Sequence, residues 1–160
     1  MSPRSATVER NTTETQIALT LDLDGSGQYE ITTGIGFFDH MLPHIARHGL
    51  FDLKIQAQGD IEVDYHHLVE DVGIVLGQAI AEAVGDKRGL IRYGLACCPM
   101  DEALVLVALD LGGRAYVRCE LSFEAPKVGE FDTELVREFF RSVAGNAGMA
   151  LHVVQQSGGN

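Results

Sequence analysis

No uninterrupted apolar run in this chain approaches the roughly 18 residues that a membrane-spanning helix needs, and no charged-then-apolar leader opens it. Neither a membrane span nor a secretory signal is expected, and the cytoplasm is the expected compartment. Cysteine is scarce: there are 3, with Cys97 and Cys98 adjacent. That number and spacing exclude a disulfide framework and lack the C-x-x-C pattern of a zinc site or redox motif. The cysteines are expected to be small, mostly buried fillers. Positive charge is also short. With 12 Lys and Arg against 23 Asp and Glu, the net charge is -11. Such a balance opposes a protein that coats nucleic acid or anionic membrane, because those partners need clustered cations. A small anionic substrate needs only a few local arginines. Arg92 in "LIRYG" and Arg114 in "GGRAY" stand in glycine-containing contexts suited to presenting them; a surface ion pair is the plainer reading of each.

What the chain does have is an internal echo. "TETQIALTLDLDGSG" (13–27) lies over "DEALVLVALDLGGRA" (101–115), and "GFFDHMLPHIARHGLFDLKIQAQGD" (36–60) over "EFFRSVAGNAGMALHVVQQSGGN" (138–160). This reads as a duplication, with halves at 1–88 and 89–160. By that register the second copy breaks off at Asn160, before a counterpart of "YHHLVED" and the helix that follows it. The second half is therefore expected to be incomplete at its C-terminus.

Periodicity assigns the elements. Ile17, Leu19, Leu21 and Leu23 alternate as a strand with one buried face. Spacings of four and three through Phe37, Phe38, Met41, Leu42 and Ile45 predict a helix. Alternation returns at Phe51, Leu53, Ile55 and Ala57, and again at Ile61, Val63 and Tyr65. Val69, Val72, Leu76, Ala79, Ile80 and Ala83 then form the stripe of a long helix closed by Gly85. Each half reads β-β-α-β-β-α, and two such units predict an α+β domain with helices packed on one face of mixed sheets.

"DYHHLVED" (64–71) holds two of the six histidines and three acids in eight positions. On a helix Glu70 neighbours both His66 and His67, whereas the two imidazoles diverge by about 100°. They are poorly placed to serve one ion together, which suggests two metal centres sharing the segment. Imidazole and carboxylate without thiolate favour Mn, Fe or Zn, with octahedral Mn suited to many N and O ligands. A helix start whose acids answer the macrodipole, with histidines merely exposed, is the bland alternative. "FFDHMLPHIARHG" adds His40, His44 and His48 along one helical face.

Taken together, "TGIGFFDHML", "HGLFDL", "GDIEVDYHHLVEDVGIVLG", "GDKRGLIRYG", "PMDEAL", "LDLGGRAY", "FDTELVREFF" and "GMALHV" resemble the imidazoleglycerol-phosphate dehydratase family in order along nearly the whole chain. The resemblance implies a duplicated α+β fold of the ribosomal-protein-S5-domain-2-like kind, and a hydro-lyase of histidine biosynthesis. That activity eliminates water from D-erythro-imidazole glycerol phosphate to give imidazole acetol phosphate through a manganese-bound imidazolate. It also implies Mn2+, two ions per subunit in the complete family site, and a homo-oligomer with a trimer as building unit and a 24-subunit shell when loaded with metal. Carried over by position, His40, His66, His67 and Glu70 match metal ligands, and Glu14 matches an acid/base glutamate. Arg92 and Arg114 match arginines that bind the substrate phosphate.

The match has departures. Thr13 stands where the family usually has Lys, and His44, matched to a substrate contact, stands where many members carry Gln. Glu138 falls where some place a further ligand histidine, and His48 matches the His of the family's "HG". The family continues past the "GxN" element with a second HHxxE segment and a Ser- and Lys-containing tail. Two other functions fit the same ligands: a noncatalytic assembly of this fold organised by metal, and a metallohydrolase that activates water. A nucleic-acid module is opposed by the charge.

Overall fold

Ile17, Leu19 and Leu21 bury one face of a strand to 2% exposure or less, as their alternation requires. The computed structural model describes residues 4–159. Its first half runs β1 (Ser5–Asn11), β2 (Thr15–Asp22), β3 (Tyr29–Thr32), α1 (Gly36–Gly49), β4 (Asp52–Gly59) and α2 (His66–Val84). The second runs β5 (Tyr93–Met100), β6 (Ala103–Asp110), β7 (Tyr116–Glu120), the short β8 (Lys127–Val128) and β9 (Phe131–Asp132), α3 (Leu135–Ala147) and β10 (Ala150–Ser157). Two four-stranded mixed sheets result, ordered β1-β2-β4-β3 and β5-β6-β10-β7. In each, the fourth strand pairs parallel to its neighbour and the others pair antiparallel. The duplication is thus visible strand for strand, in the α+β architecture expected from the sequence.

The helices lie between the sheets. α2 packs on β1 and β2, α3 on β7 and β10, and α2 and α3 lie against each other. One core runs through all four layers, from Leu19 and Ile55 through Val72 and Leu76 to Phe139, Val143 and Leu151. Removing a fully buried side chain such as Leu19 costs about 2–5 kcal/mol. Gly73 and Gly77 set the helix spacing. A Cβ on Gly77 would lie 2.5 Å from the Val143 carbonyl oxygen, and one on Gly73 2.9 Å from that of Phe139.

Two expectations are corrected. Ile61, Val63 and Tyr65 alternate but form no strand: the Val63 amide bonds the Asp60 carbonyl in a turn, and Val63 is exposed. The first half therefore carries β-β-β-α-β-α rather than β-β-α-β-β-α, and the second repeats that order through β10, with the short β8 and β9 inserted before α3. The turn wins because Asp60 and Asp64 sit among its residues, and the Asp64 carboxylate accepts from the His66 amide at 2.8 Å where α2 begins. The cysteines are not buried fillers either. Cys97 and Cys98 are exposed and Cys119 is half-buried. The first two lie on β5, the edge strand of the second sheet, nearly all of which faces solvent.

Candidate active site

The β2–β4 ladder builds the site. Thr15 faces Gly59 in its register, so the residues just beyond, Glu14 and Asp60, emerge side by side. The turn after Asp60 then leads into α2, whose first two residues are His66 and His67. Glu14, Asp60 and His67 converge: one ligand atom from each lies within 4.8 Å of the others, the only such group of three among the described residues.

His67 is the hub. Its Nδ1 is 3.0 Å from Asp60 Oδ2 and 3.7 Å from Glu14 Oε2. A carboxylate can only accept, so Nδ1 carries the proton and Nε2 is left as a lone-pair donor. The hydrogen bond to Asp60 raises the His67 pKa above its ordinary value, and the negative charge of Glu14 adds to the effect. The second oxygen of Asp60, Oδ1, is buried without a hydrogen-bond partner. A buried, unpaired carboxylate oxygen beside a metal-binding imidazole fits the shell just outside a divalent cation, where it would accept from a metal-bound water. The donor set is nitrogen and oxygen only, as a hard or borderline ion prefers.

The other expected ligands lie on α2 and α1. His66 Nε2 lies 3.6 Å from Glu70 Oε2 one turn along α2. The His66 and His67 rings are 6.1 Å apart and nearly perpendicular, so they diverge as the helical spacing requires. His40, His44 and His48 line the exposed side of α1, with ring centroids 5.3 and 5.6 Å apart. His40 does not join the Glu14 group. Glu138 faces Arg141 at 3.4 Å.

The arginines stand elsewhere. Arg92 precedes β5 and forms a two-pronged contact with Asp110, at 2.5 and 2.8 Å, with its guanidinium 5.0 Å from the Tyr93 ring centroid. That hydrogen bonding holds the Asp110 carboxyl below its ordinary pKa, and the positive charge of Arg114 contributes. Gly113 packs against Gly148, just past the end of α3. α3 runs in the same direction as α2, so this corner lies toward the C-terminal end of α2. A Cβ on Gly77 would lie 3.0 Å from the Ala147 amide nitrogen, so the end of α3 sits beside Gly77, about 15 Å of helix beyond His67. One chain therefore places Arg92 and Arg114 far from His67.

Comparison with known proteins gives the family of the chain. A family model described as imidazoleglycerol-phosphate dehydratase matches residues 33–160. The imidazoleglycerol-phosphate dehydratase of Desulforamulus reducens is 56% identical over 160 residues, covering 100% of this chain and 82% of that protein. That of Acidiphilium cryptum is 55% identical over 157 residues, 98% of this chain and 80% of the relative. The chain belongs to the imidazoleglycerol-phosphate dehydratase family.

Imidazoleglycerol-phosphate dehydratase crystal structures share its architecture. The enzyme from Staphylococcus aureus subsp. aureus N315 superposes with a TM-score of 0.87 at 41% identity, over 98% of this chain and 86% of that one. The enzyme from Pyrococcus furiosus in complex with (S)-C348 gives a TM-score of 0.79 at 34% identity, over 96% and 81%. Imidazoleglycerol-phosphate dehydratases are hydro-lyases of histidine biosynthesis, and this chain is an enzyme of that class. No helix among the described residues is long and apolar enough to cross a membrane.

Sequence reasoning missed Asp60. Its signal was slight: an acid at the end of an alternating strand, seven residues before His67. Only the Thr15–Gly59 register shows that it stands beside Glu14.

Proposed function

We propose that the protein converts D-erythro-imidazole glycerol phosphate to imidazole acetol phosphate with Mn2+ as its metal, Glu14 moving the protons. The observation that carries this reading is the Glu14 carboxylate 3.7 Å from His67 Nδ1, at the edge of a nitrogen and oxygen ligand cluster, in a chain of this family. The hydrogen to be removed sits on a carbon with no neighbouring carbonyl, and a carboxylate alone is too weak a base to take it. When bound, Mn2+ supplies a Lewis acid for the substrate's ring nitrogens and favours the imidazolate. His67 through Nε2, His66, Glu70 and His40 are the residues that would hold two such ions, the diverging His66 and His67 serving different ones.

The rest falls to the chain's own groups. Protonated Glu14 gives its proton to the departing hydroxyl, which leaves as water as the carbon–oxygen bond breaks. As a carboxylate it then takes the hydrogen from the adjacent carbon, and the resulting enol becomes the ketone. Glu14 suits both steps because it is half-exposed and its amide is held in a turn by Thr12. Arg92 and Arg114 are assigned to the phosphate as charge-assisted donors, fixing its distance from the ring. His44 is assigned a substrate contact, an imidazole replacing an amide.

The separation of the arginines from His67 supports a homo-oligomer in which one copy supplies the cation end and another the phosphate end. The trimer and the 24-subunit shell belong to this proposal through the family resemblance. Three free thiols suit a reducing compartment, and we place the enzyme in the cytoplasm.

The test is a titration of metal-stripped protein with Mn2+, following ketone product and particle mass by light scattering on one sample. Turnover that rises together with mass is the expected result. Growth in mass with no turnover would favour the noncatalytic assembly, and release of inorganic phosphate would favour a metallohydrolase.

A further inference from the structure

Asp71 is the one buried ionisable side chain among the described residues, at 8% exposure. The proposed chemistry does not use it. It follows Glu70 on α2 but faces inward, onto the first sheet. Its Oδ1 pairs with Arg10 Nε of β1 at 2.9 Å, and its Oδ2 accepts from the Thr15 hydroxyl of β2 at 2.5 Å. A carboxylate in such a place is costly, and a well-packed apolar residue would serve stability as well. The network that it anchors suggests what it is for.

The Thr15 hydroxyl has one proton, and that proton is committed to Asp71. Thr12 Oγ1, 3.1 Å from Thr15 Oγ1, then donates to it, the Thr15 carbonyl oxygen at 3.5 Å being the more distant acceptor. With its own proton so used, Thr12 Oγ1 accepts from the backbone amides of Glu14 at 3.1 Å and Thr15 at 2.9 Å. The acceptor-only carboxylate thus sets the direction of every bond in the chain, ending on the backbone of Glu14. Thr15 is 2% exposed, so no water competes at the central link.

We propose that Asp71 is a positioning residue for the reaction: through the hydroxyls of Thr15 and Thr12 it fixes the β1–β2 turn so that the Glu14 carboxylate stays beside His67. One helix then carries both halves of the arrangement. His67 projects from the first turn of α2, and Asp71, four residues later, ties down the strand end that brings the acid/base group to it. The inference rests on Glu14 being that group.

The test uses substitutions that cut the relay without touching a ligand. Thr15→Val keeps the shape and removes the hydroxyl, while Thr15→Ser keeps the hydroxyl. Thr15→Val is expected to lower kcat by about 10- to 100-fold, the scale of an ångström-level misplacement. KM and Mn2+ stoichiometry should hold, and Thr15→Ser should restore kcat. The amides of Glu14 and Thr15 should exchange with solvent faster in Thr15→Val. Should that variant not fold, Thr12→Ala cuts the relay at its exposed end and is expected to give the same kcat loss and faster Glu14 exchange. Wild-type kcat and unchanged amide exchange in the folded variants would overturn the proposal. So would a parallel loss of metal binding, which would mean that α2 itself had been disturbed. If the unaltered protein performs no dehydration, the role of Glu14 fails separately. Amide exchange then still decides the anchor, faster exchange supporting it and unchanged exchange refuting it.

Discussion

Asp60 Oδ2 and His67 Nδ1 are 3.0 Å apart, so the imidazole proton is held by a carboxylate and the opposite nitrogen keeps the lone pair that the proposed metal site needs. Such outer partners fix the tautomer and orientation of a metal-binding histidine, and losing one costs about 10- to 100-fold in metal affinity. Asp60→Asn should weaken Mn2+ binding by that factor in a calorimetric titration. Unchanged affinity would mean that the ring needs no such support.

The same contact sets a pH dependence. Asp60, with Glu14, raises the His67 pKa above the ordinary 6.5. Protons compete with the metal for the ring, so Mn2+ affinity should begin to fall while the pH is still above 6.5, and Asp60→Asn should move that onset lower. For the metal-free protein the sign is opposite: the protonated ring is stabilised by its partners only when folded. That contribution is complete below the unfolded value and is lost as pH rises through the raised folded one. Urea unfolding of metal-free protein across this window, wild type against Asp60→Asn, measures it.

Arg92 and Arg114 give a separable effect. Charge-assisted hydrogen bonds to phosphate are worth about 1.5–3 kcal/mol each. Arg114→Gln and Arg92→Gln should each raise KM by about 10-fold or more while leaving Mn2+ stoichiometry unchanged. Steady-state kinetics beside metal analysis reads both quantities.

Packing between α2 and α3 makes a stability prediction independent of chemistry. Alanine in place of glycine gains up to about 1 kcal/mol in helix propensity. At Gly77, however, the added Cβ would meet the Val143 carbonyl oxygen at 2.5 Å, and backbone must move. Overpacking of this kind costs about 1–3 kcal/mol, so Gly77→Ala should lower the urea midpoint despite its better propensity.

The sequence displayed what has a period. Ile17 to Leu21 and Leu53 to Ala57 alternate and are strands, and the stripe from Val69 to Ala83 is a helix ended by Gly85. Ile61, Val63 and Tyr65 share that alternation without a partner strand, and the local bonding of Asp60 and Asp64 bends them into a turn instead. Of the strands before α1 only β2 shows a clear period, because Ala6 and Val8, the buried residues of β1, make a weak apolar signal and Arg10 follows them. The helical divergence of His66 and His67 was readable from spacing alone. The meeting of Glu14, Asp60 and His67 was not, because it depends on which residue of β4 faces Thr15, and register is a property of the assembled sheet.

The central claim is that Glu14 moves the protons. The most direct measurement is single-turnover formation of imidazole acetol phosphate by Mn2+-loaded Glu14→Gln beside wild type. Loss of turnover by about 100-fold or more, with metal and substrate binding retained, is the predicted result. A variant that binds both and turns over as wild type would contradict the account and assign the proton transfer to another acid.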